Sequence, residues 1–203
     1  RINNQVMADV LAECGFRLGY DEVVERFIGH SFAQCLAALR DDFGFDLPPD
    51  FPARVEHRTR SELERSLVSV PGVESVLSAL SALSLPYCVA SNGERDGIAF
   101  SLRHTGLLPW FGERFFSAQD VAAPKPAPDV FLHAARQCAV DPLRCVVVED
   151  TPTGVKAARA AGMKVLGFAG LTPAARLHAA GAHDVFCAMH ELPGLLGIGT
   201  GID

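Results

Sequence analysis

Three short stretches beyond residue 85 combine residue types that handle anions and divalent cations. In Val89-Ala90-Ser91-Asn92-Gly93 an apolar run stops at a hydroxyl, an amide and a glycine. A hydroxyl and turn N–H groups at a strand end can hold phosphate oxygens, although Ser-Asn-Gly also serves as an ordinary turn. In Ala123-Pro124-Lys125-Pro126-Ala127-Pro128-Asp129 a lysine stands between prolines. Fixed backbone can aim a flexible ammonium at one point, where it would neutralise an attacking carboxylate and a phosphoryl group. The plainer alternative is a stiff surface loop leading into a helix. In Val146-Val147-Val148-Glu149-Asp150-Thr151 an apolar run delivers two adjacent carboxylates into a turn. Mg²⁺ is commonly held by one or two carboxylates with water and substrate phosphate. Against that reading, Asp150 or Thr151 could simply cap the helix containing Val155 and Ala158.

These residues need a framework that carries them to one place. From Val70-Pro71-Gly72 onward, short β-rich runs alternate with amphipathic stretches. The expected strands are 87–90, 115–117, 145–148, 164–168 and 184–187, and the expected helices are 73–84, 95–105, 128–139, 153–161 and 173–180. That alternation predicts an α/β fold, a doubly wound parallel sheet with helices on both faces. Ligands gather at the carboxyl edge of such sheets, where Ser91, Glu149 and Asp150 fall.

Residues 1–67 follow a different pattern. Ile2, Val6, Val10 and Leu11 share a helical face that ends at Gly15, Asp21 is placed to cap a second helix, and Ser31 opens a third that Gly44 closes. Phe51, Val55, Thr59, Leu63 and Leu67 continue at helical spacing, so four antiparallel helices are expected. The predicted domains are therefore a small α-helical segment at 1–67 and an α/β core at 68–203.

Composition narrows the partners. With 203 residues, 49% of them hydrophobic, the chain can bury a substantial core. A net charge of −6 disfavours nucleic acid and anionic membrane surfaces, and no apolar run approaches membrane-spanning length. The six cysteines form no C-x-x-C pair and read as free thiols, and the histidines form no zinc-binding pattern. A cytoplasmic protein, a monomer or weak homo-oligomer, is expected, and a small anionic substrate remains possible if a few local donors overcome the overall charge.

Ser-Asn at a strand end, then Lys-Pro-x-Pro, then Glu-Asp followed by Thr-x-x-Gly, in this order on an α/β framework, resembles the haloacid dehalogenase superfamily. Ser91 matches its second motif, Lys125 its third, and Glu149 with Asp150 its fourth. Gly154 and Ala161-Gly162-Met163 extend the likeness, and the helical segment is similar to the family's small cap, so the resemblance covers essentially the whole chain. It implies a Mg²⁺-dependent phosphatase acting on a small phosphate monoester, such as a sugar phosphate, through an aspartyl-phosphate. Glu149 and Asp150 would retain Mg²⁺, and Ser91 with the Asn92-Gly93 turn would hold phosphate. Lys125 would neutralise charge, and its loss is expected to reduce rate more than fold. Dehalogenases share the Ser-Asn-Gly turn but lack the metal and the Glu-Asp pair.

The resemblance also implies a cap that closes over the core, with Gly29, His30 and Arg58 as specificity candidates. Their plainer readings are a helix stop, a partly exposed polar residue and a solvated helix face. The region around Arg26-Phe27-Ile28-Gly29-His30-Ser31 resembles the branch holding β-phosphoglucomutase and sugar-phosphate phosphatases. Ser31-Phe32-Ala33-Gln34 lacks the mutase's arginine for a second phosphate, which favours hydrolysis over phosphotransfer. The family's first motif, a strand ending in Asp-x-Asp, is not found. Asp41-Asp42 and Asp129 fall in helical patterns, and Asp184 precedes a strand. The expectation is that the nucleophile lies ahead of Arg1 and that the chain by itself does not turn over. The competing reading is a non-catalytic binding protein on the same framework.

Overall fold

The computed structural model describes residues 2–27 and 31–198. The chain divides into two compact units, Arg1–Leu67 and Val68–Asp203.

The first unit holds α1 (Ile2–Glu13), α2 (Tyr20–Phe27), α3 (Phe32–Phe43) and α4 (Phe51–Ser66). Its core is Val6, Val10, Leu11, Val23, Leu39 and Phe51, all essentially inaccessible to solvent. At about 1.5–3 kcal/mol for each large apolar side chain buried, these contacts outweigh the weak intrinsic stability of such short helices. Local signals set the helix ends. Gly15 adopts a left-handed φ of 89° just past α1. Ser31 and Gln34 form a reciprocal capping box at the start of α3, and Gly44 closes that helix with φ 63°.

Two local expectations are corrected. Asp21 lies inside the first turn of α2, where Gly19 N–H is accepted by Glu22, so Asp21 does not cap it. Along α4 only Phe51 and Val55 are buried. Leu63 and Leu67 remain half-buried because the second half of the helix is polar nearly all round, with exposed Arg60–Glu64 and Arg65–Glu62 pairs.

The second unit alternates as α5 (Val73–Ala82), β1 (Val89–Ser91), α6 (Arg95–His104), α7 (Leu108–Phe111), β2 (Phe115–Ser117), α8 (Asp129–Gln137), β3 (Val146–Glu149), α9 (Pro152–Ala160), β4 (Lys164–Phe168), α10 (Ala174–Ala179), β5 (Asp184–Phe186) and α11 (Leu192–Leu195). Every strand pair is parallel, as the α/β alternation requires. Val130, Phe131, Ala134, Val155 and Ala158 of α8 and α9 pack with Val147 and Val165. Val76, Leu166, Phe186, Met189 and Leu192 form a second cluster, and Leu77, Ile98, Leu102, Phe111 and Phe115 form a third.

The strands fall into two groups, β1–β2 and β3–β4–β5. Among the described residues no backbone pairing joins β1 to β3. Val146 and Val148 on β3 remain 41% and 39% exposed, although three consecutive valines ordinarily mark a strand covered on both faces. Among the described residues no helix is long and apolar enough to cross a membrane.

Candidate active site

The three stretches meet at Lys125. Its side chain is almost fully enclosed, at 6% exposure, and so is that of Glu149 at 8%. The Lys125 ammonium donates to the carbonyl of Ala90 on β1 at 3.0 Å and pairs with Glu149 Oε1 at the end of β3. It also stands 4.5 Å from the centre of the Phe131 ring, in the first turn of α8. A buried ammonium without partners would be strongly disfavoured, and here a carboxylate, a carbonyl and a ring face supply them. Lys125 therefore links the two groups of strands across the place where backbone pairing is missing.

Glu149 is held from the other side by α9. Thr151 caps this helix, its Oγ1 accepting from Gly154 N–H at 3.0 Å while the same hydroxyl donates to Glu149 Oε2 at 3.2 Å. The positive end of the helix dipole thus faces the carboxylate. A Cβ at position 154 would lie 2.0 Å from Glu149 Cδ, so only glycine leaves room for that carboxylate. Asp150 follows directly. It presents surface to solvent, yet the protein crowded around its carboxyl raises its pKa, and the adjacent Glu149 charge raises it further.

At the end of β1, Ser91 pairs in register with Ser117. Ser91 Oγ accepts from Gly93 N–H at 3.0 Å, and the buried Ser117 hydroxyl donates to Gly93 carbonyl at 2.6 Å, fixing the turn. Asn92 turns its side chain toward the lysine loop. Its Nδ2 donates to Lys125 carbonyl at 3.1 Å, and its Oδ1 accepts from Lys125 N–H at 2.8 Å.

Residues 6–162 match the model of the haloacid dehalogenase-like hydrolases. The chain belongs to this family. It is 29% identical over 168 residues to 6-phosphogluconate phosphatase of Escherichia coli (strain K12), covering 82% of this chain and 75% of that protein. It is 39% identical over 119 residues to the fructose-1-phosphate phosphatase of the same organism, covering 58% of this chain and 62% of the relative. The matches thus span 75% and 62% of these two relatives' own lengths. A solved structure of a haloacid dehalogenase family hydrolase from Deinococcus radiodurans R1, with bound phosphate and sodium, superposes with a TM-score of 0.78 at 34% identity, covering 99% of this chain and 91% of that one.

Within this haloacid dehalogenase-like hydrolase, Ser91, Asn92 and Gly93 form one turn, and Lys125 with Glu149 forms one buried pair beside it. Arg58 lies in the helical unit, where it pairs with Glu13 and approaches Asp9 at 3.7 Å, while Arg54 reaches the same Glu13 at 2.8 Å. These bonds tie α4 to α1 and account for Arg58 without a ligand. Gly29 and His30 lie outside the described residues. Ser31 and Gln34 are engaged in the capping box of α3.

The donor set fits Mg²⁺ only in part. Asp150 offers a hard oxygen whose ionised form is disfavoured by its surroundings, and a cation would relieve that. Glu149 is instead committed to Lys125 and Thr151. Among the described residues no three His, Cys, Asp or Glu side chains gather as a metal site. The motifs alone did not point to the parts played by the Asn92 side chain, the Thr151 hydroxyl, the Phe131 ring and the Ala90 carbonyl. Thr151 was legible as a helix cap. A backbone carbonyl carries no side-chain signal at all.

The burial of Lys125 means that its loss would bear on the fold as well as on rate. Truncating one partner of a buried pair costs about 3–5 kcal/mol, because the other charge is left uncompensated.

Proposed function

We propose that this chain carries the phosphate-handling residues of a Mg²⁺-dependent phosphatase that hydrolyses a small phosphate monoester. A sugar phosphate is the class favoured by the 6-phosphogluconate and fructose-1-phosphate phosphatases to which it is similar. The reaction would proceed through an aspartyl-phosphate, on an aspartate in an Asp-x-Asp motif that this chain does not itself contain. The observation that carries the reading is the buried Lys125 ammonium, held between the end of β1 and the end of β3.

In this reading Lys125 holds a fixed positive charge where a phosphoryl group meets its acceptor, and it needs no reorganisation when charge develops. Glu149 keeps that ammonium in place. Ser91 Oγ already accepts from Gly93, so its own proton is the one available to a phosphate oxygen. Asp150 would hold Mg²⁺, which when bound supplies Lewis-acid neutralisation of phosphate oxygens. The partner is a small phosphorylated metabolite, in keeping with a net charge of −6, which disfavours nucleic acid and anionic lipid.

The test uses the protein expressed from its complete coding sequence, assayed against a panel of sugar phosphates and p-nitrophenyl phosphate with Mg²⁺ and with chelator. Hydrolysis should disappear on chelation and in Asp150→Asn. Activity that persists in either case refutes the assignment.

A further inference from the structure

Lys125 sits in a loop whose prolines restrict it but cannot anchor it. Pro124 and Pro126 have no N–H, so Lys125 N–H is the sole backbone donor of the Pro124-Lys125-Pro126 tripeptide. That donor goes to Asn92 Oδ1 at 2.8 Å, and the carbonyl of the same residue accepts from Asn92 Nδ2 at 3.1 Å. One amide side chain therefore bonds both polar groups of one residue, 33 positions away in sequence. Two residues before Asn92, the Ala90 carbonyl receives the Lys125 ammonium at 3.0 Å. Residues 90–92 thus grip the lysine at both ends, the backbone through Asn92 and the head through Ala90.

A lysine side chain has four rotatable bonds and carries about 2 kcal/mol of rotamer entropy, so holding the head alone would leave its base free to drift. The loop prolines cannot supply that second hold. Asparagine can, because its amide pairs one donor with one acceptor at the spacing of a peptide group. An aspartate at this position would keep the acceptor and set a carboxylate oxygen against the Lys125 carbonyl. A serine carries only one polar atom, and at closer reach.

We infer that Asn92 is a positioning residue for Lys125, acting through the lysine's peptide group and not by contact of its side chain with phosphate. This rests on the assignment of Lys125 under Proposed function and adds to it a means of holding the ammonium in register with the end of β1.

The experiment is a double-mutant cycle between Asn92→Ala and Lys125→Ala in the full-length protein, with p-nitrophenyl phosphate and Mg²⁺. Asn92→Ala should lower kcat by about 10- to 100-fold, the scale expected when a reacting group is misplaced by about an ångström, and leave KM within about threefold. In the Lys125→Ala background the same substitution should lower kcat by less than about threefold, because no ammonium remains to be positioned. A residue that merely supported the fold would lower both backgrounds alike, so a full loss retained without the lysine overturns the inference. A loss carried by KM overturns it too, since that marks direct substrate binding. If Lys125→Ala lowers kcat and Asn92→Ala does not, the positioning role fails and the lysine assignment stands. If Lys125→Ala leaves kcat intact, the assignment under Proposed function fails as well. Lys125→Met, which keeps the stem, replaces Lys125→Ala if the uncompensated Glu149 prevents that variant from folding. Asn92→Asp, of nearly the same shape, is measured alongside in case the Asn92→Ala variant does not fold. It keeps one of the two bonds and should still lose about tenfold in kcat, so an unchanged kcat there also overturns the inference.

Discussion

Replacing Gly154 by alanine sets two physical effects of opposite sign against each other. Gly154 lies in the first turn of α9, and alanine is the better helix former by about 1 kcal/mol, which alone predicts a more stable protein. The added Cβ, however, would stand 2.0 Å from Glu149 Cδ and 2.1 and 2.3 Å from its two oxygens. Carbon atoms rest at about 3.5–4.0 Å, so the carboxylate must move by roughly 1.5 Å or more. A glutamate at a surface would simply swing aside. Glu149 is buried and held by Lys125 and Thr151, so moving it separates the pair. Leaving a buried charge uncompensated costs about 3–5 kcal/mol. Subtracting the helix gain of about 1 leaves a net loss of about 2–4 kcal/mol. For a chain of this size that corresponds to a fall in Tm of about 4–16 °C. The measurement is denaturant-induced and thermal unfolding of Gly154→Ala beside Gly97→Ala. Gly97 lies in α6, where an added methyl group would meet nothing within 4 Å, so that substitution should stabilise by about 0.5–1 kcal/mol. Should Gly154→Ala match the stability gain of Gly97→Ala, the carboxylate is not held as described, and Glu149 is not the partner that fixes Lys125.

Two further predictions concern titratable groups. Because crowding raises the Asp150 pKa, the folded protein holds that proton more tightly than the unfolded chain, so the folded state loses stability as pH rises from the unfolded carboxyl pKa toward the folded one. Asp150→Asn should therefore be more stable than the parent at about pH 7 in chelator, with the advantage vanishing below about pH 4. Equal unfolding midpoints at both pH values would refute the raised pKa. Burial pushes the Cys88 thiol up to about 12 and the Cys35 thiol up to about 11, whereas Cys187 is exposed. Iodoacetamide at about pH 8 should label Cys187 well before Cys88 or Cys35 in the folded protein, as peptide mass mapping would register, since only the thiolate reacts. Labelling of all three at one rate would contradict that burial.

Much of this molecule was legible one residue at a time, because the signals involved are local. The run of valines before Glu149, the glycines at 15 and 44, and the Ser31 box each act within a turn or a strand of their own position, and their helices and strands lie where those signals put them. The three motif stretches were readable for the same reason. What the linear order could not carry was the division of labour between neighbours. Glu149 and Asp150 are equivalent as adjacent carboxylates in a sequence, yet alternation along β3 turns Glu149 inward to Lys125, while Asp150 falls in the bend just past the strand, at the surface. The partners of Arg58 are not readable until α1 brings Glu13 and Asp9 beside it. Asn92 reads as a turn residue until the loop 33 positions later presents its peptide group. Those outcomes depend on which donors and acceptors meet across long separations once water is excluded, and only the tertiary packing decides that.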